Sequence, residues 1–362
     1  MRAAGGDPIG AGEGVRTAHR VVQWATGNIG GRALRGVIEH PDLSLAGVYV
    51  YSPDKVGTDA GELCGLGPTG VAATDDVDEI LGLGADCVLY MPRALDVDDV
   101  CRLLASGANV VTTRGEFHHP GSMDDGTRDR IEAACRAGDT SIHSTGSSPG
   151  FISEAVPLVL TSIQRELESL VIEEFADLSR RHSPELLFDL MGFGTDPARF
   201  DHGRWSHGAH SFGPSLRLVA EALGLPLDSV EATGEIAVAR QTTDIAAGRL
   251  EAGTVAAQRL AVTGMRCGRP LLAFVANWYC TGDLEPAWDL GPTGWRLTVA
   301  GDAPLSIDMR FDFPLEEMGD YTPGYTANRA VNAVAAVCEA ASGIRTTVDL
   351  PQIIATLRDG AP

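Results

Sequence analysis

The stretch Arg20 to Ile38, RVVQWATGNIGGRALRGVI, leaves the chain little freedom in what it can become. It opens with an apolar run, Val21-Val22-Gln23-Trp24, short enough for a buried strand. It breaks at Ala25-Thr26-Gly27-Asn28-Ile29-Gly30-Gly31. It resumes with Ile29, Ala33, Leu34, Val37 and Ile38 at helical spacing. Strand, glycine turn, helix is the context that a dinucleotide fingerprint needs. Gly27 lets backbone approach a pyrophosphate, and Gly30 lets helix and strand pack closely. The amino end of the helix offers free N–H groups and the positive end of its dipole to phosphates. Ala25 stands where G-x-G-x-x-G has its first glycine, so these residues also fit an ordinary strand–turn–helix. The next strand decides more.

That strand is LSLAGVYV, Leu43 to Val50. Its end lies about 20 residues past Gly30, where an NAD-binding domain usually sets an acid on the ribose hydroxyls. Here Tyr51-Ser52-Pro53-Asp54-Lys55 follows, with no acid at the strand end. Ser52 and Lys55 suit a 2′-phosphate, which favours NADP. Asp54 could still turn toward a ribose, so NAD stays open.

β/α alternation continues. Asp75, Asp76 and Asp96 are placed to cap helices. Cys87–Tyr90, Asn109–Thr113 and Ser141–Ser144 read as further buried strands. A parallel, doubly wound Rossmann-type sheet follows, with ligands at the carboxyl ends of its strands. The pattern changes at Thr145-Gly146-Ser147-Ser148-Pro149-Gly150. Long strand-like runs then dominate from Ser169 to Phe313, interrupted by two helical stretches near Pro184–Met191 and Leu216–Leu223. This predicts an α+β domain on a mostly antiparallel sheet. The expected division is a flexible leader over 1–15, a dinucleotide-binding domain over 16–147, a substrate and dimerisation domain over 148–314, and helices over 315–362 that return to the first domain. Those helices are expected at Ala327–Ala341 and Pro351–Arg358.

With 362 residues, two domains are expected. The formal charge of −21 disfavours nucleic acid or an anionic membrane surface as a partner. No apolar run approaches the roughly 20 residues needed to span a bilayer. The seven cysteines contain no C-x-x-C pair and read as small core side chains in a reducing cytoplasm.

The run Asn109–Thr113 leads into Arg114-Gly115-Glu116-Phe117-His118-His119-Pro120. A loop here faces the nicotinamide half of a bound cofactor. Glu116, His118 and His119 are candidates for moving protons, against the plain alternative of solvated loop side chains. A carboxylate left unpaired beside an apolar wall has its pKa raised, which suits that work. Two histidines without a third ligand argue weakly for a metal, and none is expected. Met191-Gly192-Phe193-Gly194-Thr195 is either a second cofactor contact or a helix stop. The segment DHGRWSHGAHSFGP, 201–214, reads as a surface loop or lid. Trp278, Tyr279, Trp288, Trp295, Tyr321 and Tyr325 are candidates for a substrate pocket, though aromatic residues are more often core.

Taken in order, VVQWATGNIG, GVYVYSPDKVGTDAGELCG, ADCVLYMP, NVVTTRGEF, STGSSPGF, MGFG and PGYTANRAVNAV resemble a family related to dihydrodipicolinate reductase. More narrowly, they resemble the native amine dehydrogenases and 2,4-diaminopentanoate dehydrogenase, from about Arg20 to about Leu350. The resemblance implies a two-domain homodimer using NADP or NAD. It implies reversible deamination of a small primary amine to a ketone or aldehyde plus ammonia. In that family the glutamate at the position of Glu116 handles the amine or ammonia. The cofactor set becomes Thr26, Gly27, Asn28, Ile29, Gly30, Ser52, Lys55, Met91 and Thr113. Dihydrodipicolinate reductase itself fits less well, because its paired histidines, with a lysine after them, lie in the second domain. Two alternatives stay open: an NAD(P)-dependent oxidoreductase acting on another carbonyl or imine, with Arg93 and Arg114 as carboxylate anchors, and a non-catalytic NADP-binding protein.

Overall fold

A computed structural model describes residues 18–357, so the expected leader lies outside the described residues. The first half alternates as the sequence predicts: β1 (His19–Trp24), α1 (Asn28–Glu39), β2 (Leu43–Tyr49), α2 (Ala60–Leu63), β3 (Ala73–Thr74), α3 (Val77–Gly82), β4 (Cys87–Tyr90), α4 (Val97–Ala105), β5 (Asn109–Thr112), α5 (Asp125–Gly138) and β6 (Ser141–Ser144). The strands lie in the order β6-β5-β4-β1-β2-β3, all parallel. Both faces are buried, which is why the strands are almost wholly apolar. Val22, Val88 and Val110 pack with Leu103 and Ile131 on one face. Val21, Leu89 and Val111 pack with Ala33 and Val37 on the other. Asp76 and Asp96 start α3 and α4 by accepting N–H bonds at 2.8 Å and 2.9 Å from residues two further on.

The chain then crosses through 145–150 into α6 (Val156–Thr161), β7 (Leu167–Asp177), α7 (Arg204–Ala222), β8 (Ser229–Ala239), β9 (Thr243–Ile245), β10 (Gly248–Leu250), β11 (Val255–Arg266), β12 (Arg269–Tyr279), β13 (Leu284–Glu285), β14 (Gly294–Gly301) and β15 (Leu305–Arg310). A second seven-stranded sheet runs β13-β8-β11-β12-β7-β14-β15. Only β12 and β7 pair parallel; the other neighbours are antiparallel. α7 covers one face, where Phe212 stacks on Phe274 with ring centroids 4.0 Å apart.

Finally α8 (Met318–Cys338) lies against α1, and β16 (Gly343–Arg345) extends the first sheet beside β6. Val331 of α8 sits 3.2 Å from where a Cβ on Gly36 would be. The last elements therefore belong to the first sheet's core, with Ala327, Val334 and Val337 buried beside Val21 and Val37.

Two expectations fail. Residues 351–357 carry no helix. Ile354 and Leu357 are 75% and 82% exposed, so an apolar face there would have nothing to pack on. The Gly- and His-rich segment after Asp201 is not a loop: from Arg204 onward it is the first half of α7. Glycine lowers helix propensity, but Gly208 is needed here, since an added Cβ would meet Leu260 Cδ2 at 2.4 Å. Close helix–sheet contact overrides propensity.

Candidate functional site

The turn after β1 is built as a phosphate site needs. Ala25 takes φ +72°, the left-handed conformation that a first glycine would supply. Gln23 Nε2 donates to Ala25 O at 2.9 Å and props the turn from below. A Cβ on Gly30 would lie 2.1 Å from Ala25 O, so only glycine fits. A Cβ on Gly27 would meet nothing within 4 Å, which leaves open space above the turn. α1 starts there with no side-chain cap and no acid in its first turn, and its first N–H groups have no intrahelical acceptor. A cleft of about 830 Å³ lies over it, lined by Thr26, Gly27, Asn28, Arg32, Tyr321 and Tyr325. Ile29 packs instead into the core, and Met91 is buried with its N–H donated to Trp24 O at 3.1 Å. Lys55 folds back so that Nζ donates to Thr26 O and Oγ1 at 3.1 Å and 3.2 Å. Its charge thus stands at the turn, while Ser52 is exposed nearby. These groups fit a dinucleotide's phosphates: open space, the amino end of a helix and one ammonium.

A second cleft, of about 840 Å³, separates the domains. Thr113 and Glu116 line it from the first domain, and Pro149, His210 and Arg217 line it from the second. Glu116 is not unpaired, contrary to the expectation. Arg114 Nη2 holds its Oε1 at 2.5 Å, and the same guanidinium donates through Nη1 to Arg93 O at 2.7 Å. Arg114 is therefore tied inside its own loop. Glu116 Oε2 is shielded from solvent and has no hydrogen-bond partner among the described residues.

His118 and His119 are not solvated loop side chains; they are 2% and 6% exposed. His118 Nδ1 lies 2.6 Å from Glu154 Oε1, just after the crossing. His119 Nε2 lies 3.0 Å from Glu221 Oε2 on α7, and its Nδ1 is 2.7 Å from Ser122 Oγ. Glu154 also accepts from Ser215 Oγ of α7 at 2.5 Å and from Thr347 Oγ1 beyond β16. Burial opposes the charge of Glu154, but His118 and these hydroxyl donors outweigh it and hold the carboxyl below the usual range. Four separate segments thus meet at one carboxylate. The histidine pair fastens the Glu116 loop to the second domain. Behind it, burial pushes His143 of β6 down to about 4. His143 Nδ1 is 2.8 Å from Arg345 O.

A third cavity, of about 440 Å³, opens on the second sheet. Trp278, Trp295 and Tyr325 line it, and Glu174 stands among them. Of the other aromatic candidates, Tyr279 is core, Tyr321 borders the first cleft, and Trp288 lies under Arg259, 4.5 Å from CZ to ring centroid. Met191 also reaches this third cavity, whereas Phe193 is buried in the core. The sequence reading missed Glu154, Glu174, Ser215 and Thr347. Among the described residues, no three His, Cys, Asp or Glu side chains gather as a metal site, and no helix is long and apolar enough to cross a membrane.

Comparison with known proteins agrees with this architecture. An amine dehydrogenase of Streptomyces virginiae is 29% identical over 346 residues, covering 91% of this chain and 95% of that one. A 4-hydroxy-tetrahydrodipicolinate reductase of Nostoc sp. is 32% identical over 133 residues, covering 36% of this chain and 40% of that one. The structure of an amine dehydrogenase from Mycobacterium smegmatis superposes with a TM-score of 0.74 at 20% identity, over 93% of this chain and 97% of that one. It shares the fold of two sheets joined by a double crossing. Residues 151–361, more than half of the chain, match the model of the 2,4-diaminopentanoate dehydrogenase C-terminal domain. The chain belongs to the 2,4-diaminopentanoate dehydrogenase family of oxidoreductases.

Proposed function

We propose that this protein is an NAD(P)-dependent amine dehydrogenase. It interconverts a small primary amine with a ketone or aldehyde plus ammonia, and it prefers NADP. The observation that carries this reading is Glu116: one carboxylate oxygen is clamped by Arg114, and the other is buried in the interdomain cleft without a partner among the described residues. Such an oxygen can take a proton or an ammonium ion without first releasing another donor.

The cofactor, when bound, supplies or removes hydride at the substrate carbon. The open turn at Gly27, the amino end of α1 and Lys55 would hold its phosphates, and Ser52 and Lys55 would receive a 2′-phosphate. Thr113, which lines the cleft with Glu116, would border the reacting end. In the aminating direction Glu116 takes a proton from an ammonium ion and frees ammonia, whose nitrogen bonds to the carbonyl carbon as one of its own protons passes to the carbonyl oxygen to give the carbinolamine. Glu116 then returns its proton to the carbinolamine hydroxyl, which leaves as water with the C–O bonding pair. The remaining iminium is positive, and the carboxylate stabilises it electrostatically. The buried contacts of His118 and His119 keep the Glu116 loop seated while the proton moves. A homodimer formed through the second sheet belongs to the same reading and is checked by light scattering.

NADPH oxidation with a panel of ketones and aldehydes, with and without ammonia, tests the proposal. Turnover that requires ammonia supports it. Equal turnover without ammonia points to carbonyl reduction. Cofactor binding with no turnover across the panel points to a non-catalytic protein.

A further inference from the structure

Glu154 is fully buried, at 0% exposure, and the proposed reaction does not use it. A carboxylate is costly to bury, and an apolar side chain of similar volume packs as well or better. What a carboxylate offers instead is directed contacts. Those of Glu154 run to three different parts of the chain. His118 Nδ1, on the segment after β5, stands 2.6 Å from Oε1. Ser215 Oγ of α7 donates to the same oxygen at 2.5 Å. Thr347 Oγ1, two residues past β16, donates to Oε2. A first-domain loop, a second-domain helix and the returning C-terminal segment are thus referred to one point.

His118 carries that point to Glu116. The two residues flank Phe117 in one tight turn, Gly115–Phe117, closed by His118 N donating to Gly115 O at 3.5 Å. Phe117 is buried in the first domain's core. Upstream, Arg114 N donates to Thr112 Oγ1 at 3.1 Å, and Ser144 Oγ donates to Arg114 O. The turn is therefore pinned to the sheet on one side and by the histidine pair on the other. Of the two histidine contacts, the one to Glu154 is the dry one, since the partner of His119, Glu221, has a side chain 54% exposed. Water and salt compete with the second contact and not with the first.

We propose that Glu154 is a positioning residue for Glu116: acting through His118, it fixes the turn that holds the Glu116 carboxylate at the interdomain cleft. A displacement of about 1 Å at a reacting group can cost about 10²-fold in rate, so a small rotation of this turn is enough to matter. The proposal rests on the part given to Glu116 in amine dehydrogenation. The mechanical link from Glu154 to the turn does not.

Glu154→Met keeps the volume and removes every contact of the carboxylate, and two measurements read it. The first is hydrogen–deuterium exchange on the intact protein without substrate. Amides of residues 114–119 should exchange at least about fivefold faster, the scale of one lost buried hydrogen bond, while those of α1 and β2 keep their rates. The second is steady-state oxidation of an amine that the wild type turns over. There kcat should fall at least about tenfold, with the Kd for NADPH unchanged. In a Glu116→Gln background the same substitution should cost less than about twofold more, because residues that act as a unit are not additive. Unchanged exchange at 114–119, exchange that rises equally throughout the protein, or a loss of kcat as large with Glu116→Gln as without it overturns the proposal. Faster exchange confined to the turn, in a protein whose turnover ignores Glu116→Gln or that oxidises no amine, supports the link and overturns the reading of Glu116 alone. Should Glu154→Met fail to fold, Thr347→Val, which takes one donor from the same carboxylate, is read by the same two measurements.

Discussion

The two domains carry opposite kinds of wall, each bordering cavities of its own. The first domain's wall is made of backbone and of one tied carboxylate: an open turn at Gly27, a crowded one at Gly30, and Glu116 held by Arg114. The second domain's wall is made of large side chains on a sheet, with Glu174 held only by indoles. The difference is one of generality. A backbone cradle and a proton-moving group serve any substrate of the reaction. Large side chains around a cavity fit some shapes and refuse others. Substitutions on the first wall should therefore change the outcome for every substrate alike.

The strongest test of that division is Glu116→Gln. Turnover should fall at least about 10²-fold for every amine tested, the lower range for a general acid or base. Cofactor affinity should hold, because Glu116 lines a different cleft from the glycine turn. The change is nearly isosteric, so lost packing does not blur the result. Single-turnover kinetics reads the effect. A variant within about twofold of wild type, the range of a plain surface change, would remove Glu116 from the mechanism. A loss confined to some substrates would erase the distinction between the walls.

Acid should attack the seam where the walls meet. His143 is buried beside that seam, and its pKa falls from 6.5 to about 4 on folding. The folded state resists its protonation, so stability is fully present above about pH 6.5 and is lost as pH drops toward 4. At about 1.36 kcal/mol per pKa unit the loss is about 3 kcal/mol. Glu154 acts in the same direction further down: its folded pKa is depressed, so its contribution holds above the ordinary carboxylate range and fades as pH falls below it. Thermal melts at intervals between pH 7 and 4 measure this. His143→Asn should melt with a flatter profile over the upper part of that window. Equal slopes for the two proteins would show that His143 titrates normally.

Much of the first wall was legible in the sequence, and little of the second. The glycine turn, the strands and the place of Glu116 follow from local periods and from backbone chemistry within a few residues. Glu154 draws its partners from His118, Ser215 and Thr347, the last of them 193 residues away. No local pattern connects such positions. Glu174 looked like one more polar residue on a strand until β12 and β14 brought two indoles to it. The first half of α7 was hidden for the opposite reason. Its glycines read as a loop, and the closeness of Leu260 that demands Gly208 is a tertiary fact. Residues 351–357 show the converse error, an apolar spacing of which only Ile353 packs on the core while Ile354 and Leu357 stay exposed.

On the first wall, Lys55→Ala tests the cofactor preference. The ammonium now donates to Thr26 at 3.1 Å and 3.2 Å, so the side chain is already ordered at the turn. Removing it should weaken NADPH by about 1–3 kcal/mol, or roughly 5- to 150-fold, if it meets the 2′-phosphate. NADH should change far less. Fluorescence titration with both cofactors reads the split. Equal loss for both would move Lys55 to the pyrophosphate and withdraw the assignment of NADP. Gly27→Val is the companion: it fills the open space and should weaken both cofactors, with the melting temperature unchanged.

The smallest effect expected is the one that most directly asks whether the turn is strained. Ala25 sits at φ +72°, where an L side chain costs about 1–2 kcal/mol relative to the right-handed region. Glycine removes that cost but adds about 0.5–1 kcal/mol through the greater freedom of the unfolded chain. Ala25→Gly should therefore stabilise the protein by about 0.5–1 kcal/mol, read as a rise of a degree or two in melting temperature for a chain of this size. The backbone of the turn is unchanged by the substitution, so cofactor affinity should stay put. Gly30→Ala supplies the contrast, since its Cβ would have to enter the space of Ala25 O, 2.1 Å away. That variant should lose both stability and cofactor binding. If Ala25→Gly lowers the melting temperature, then the turn is held by its packing against Trp24 and Tyr49 more than it is burdened by its backbone. The first wall would then owe its shape to side chains after all, as the second one does.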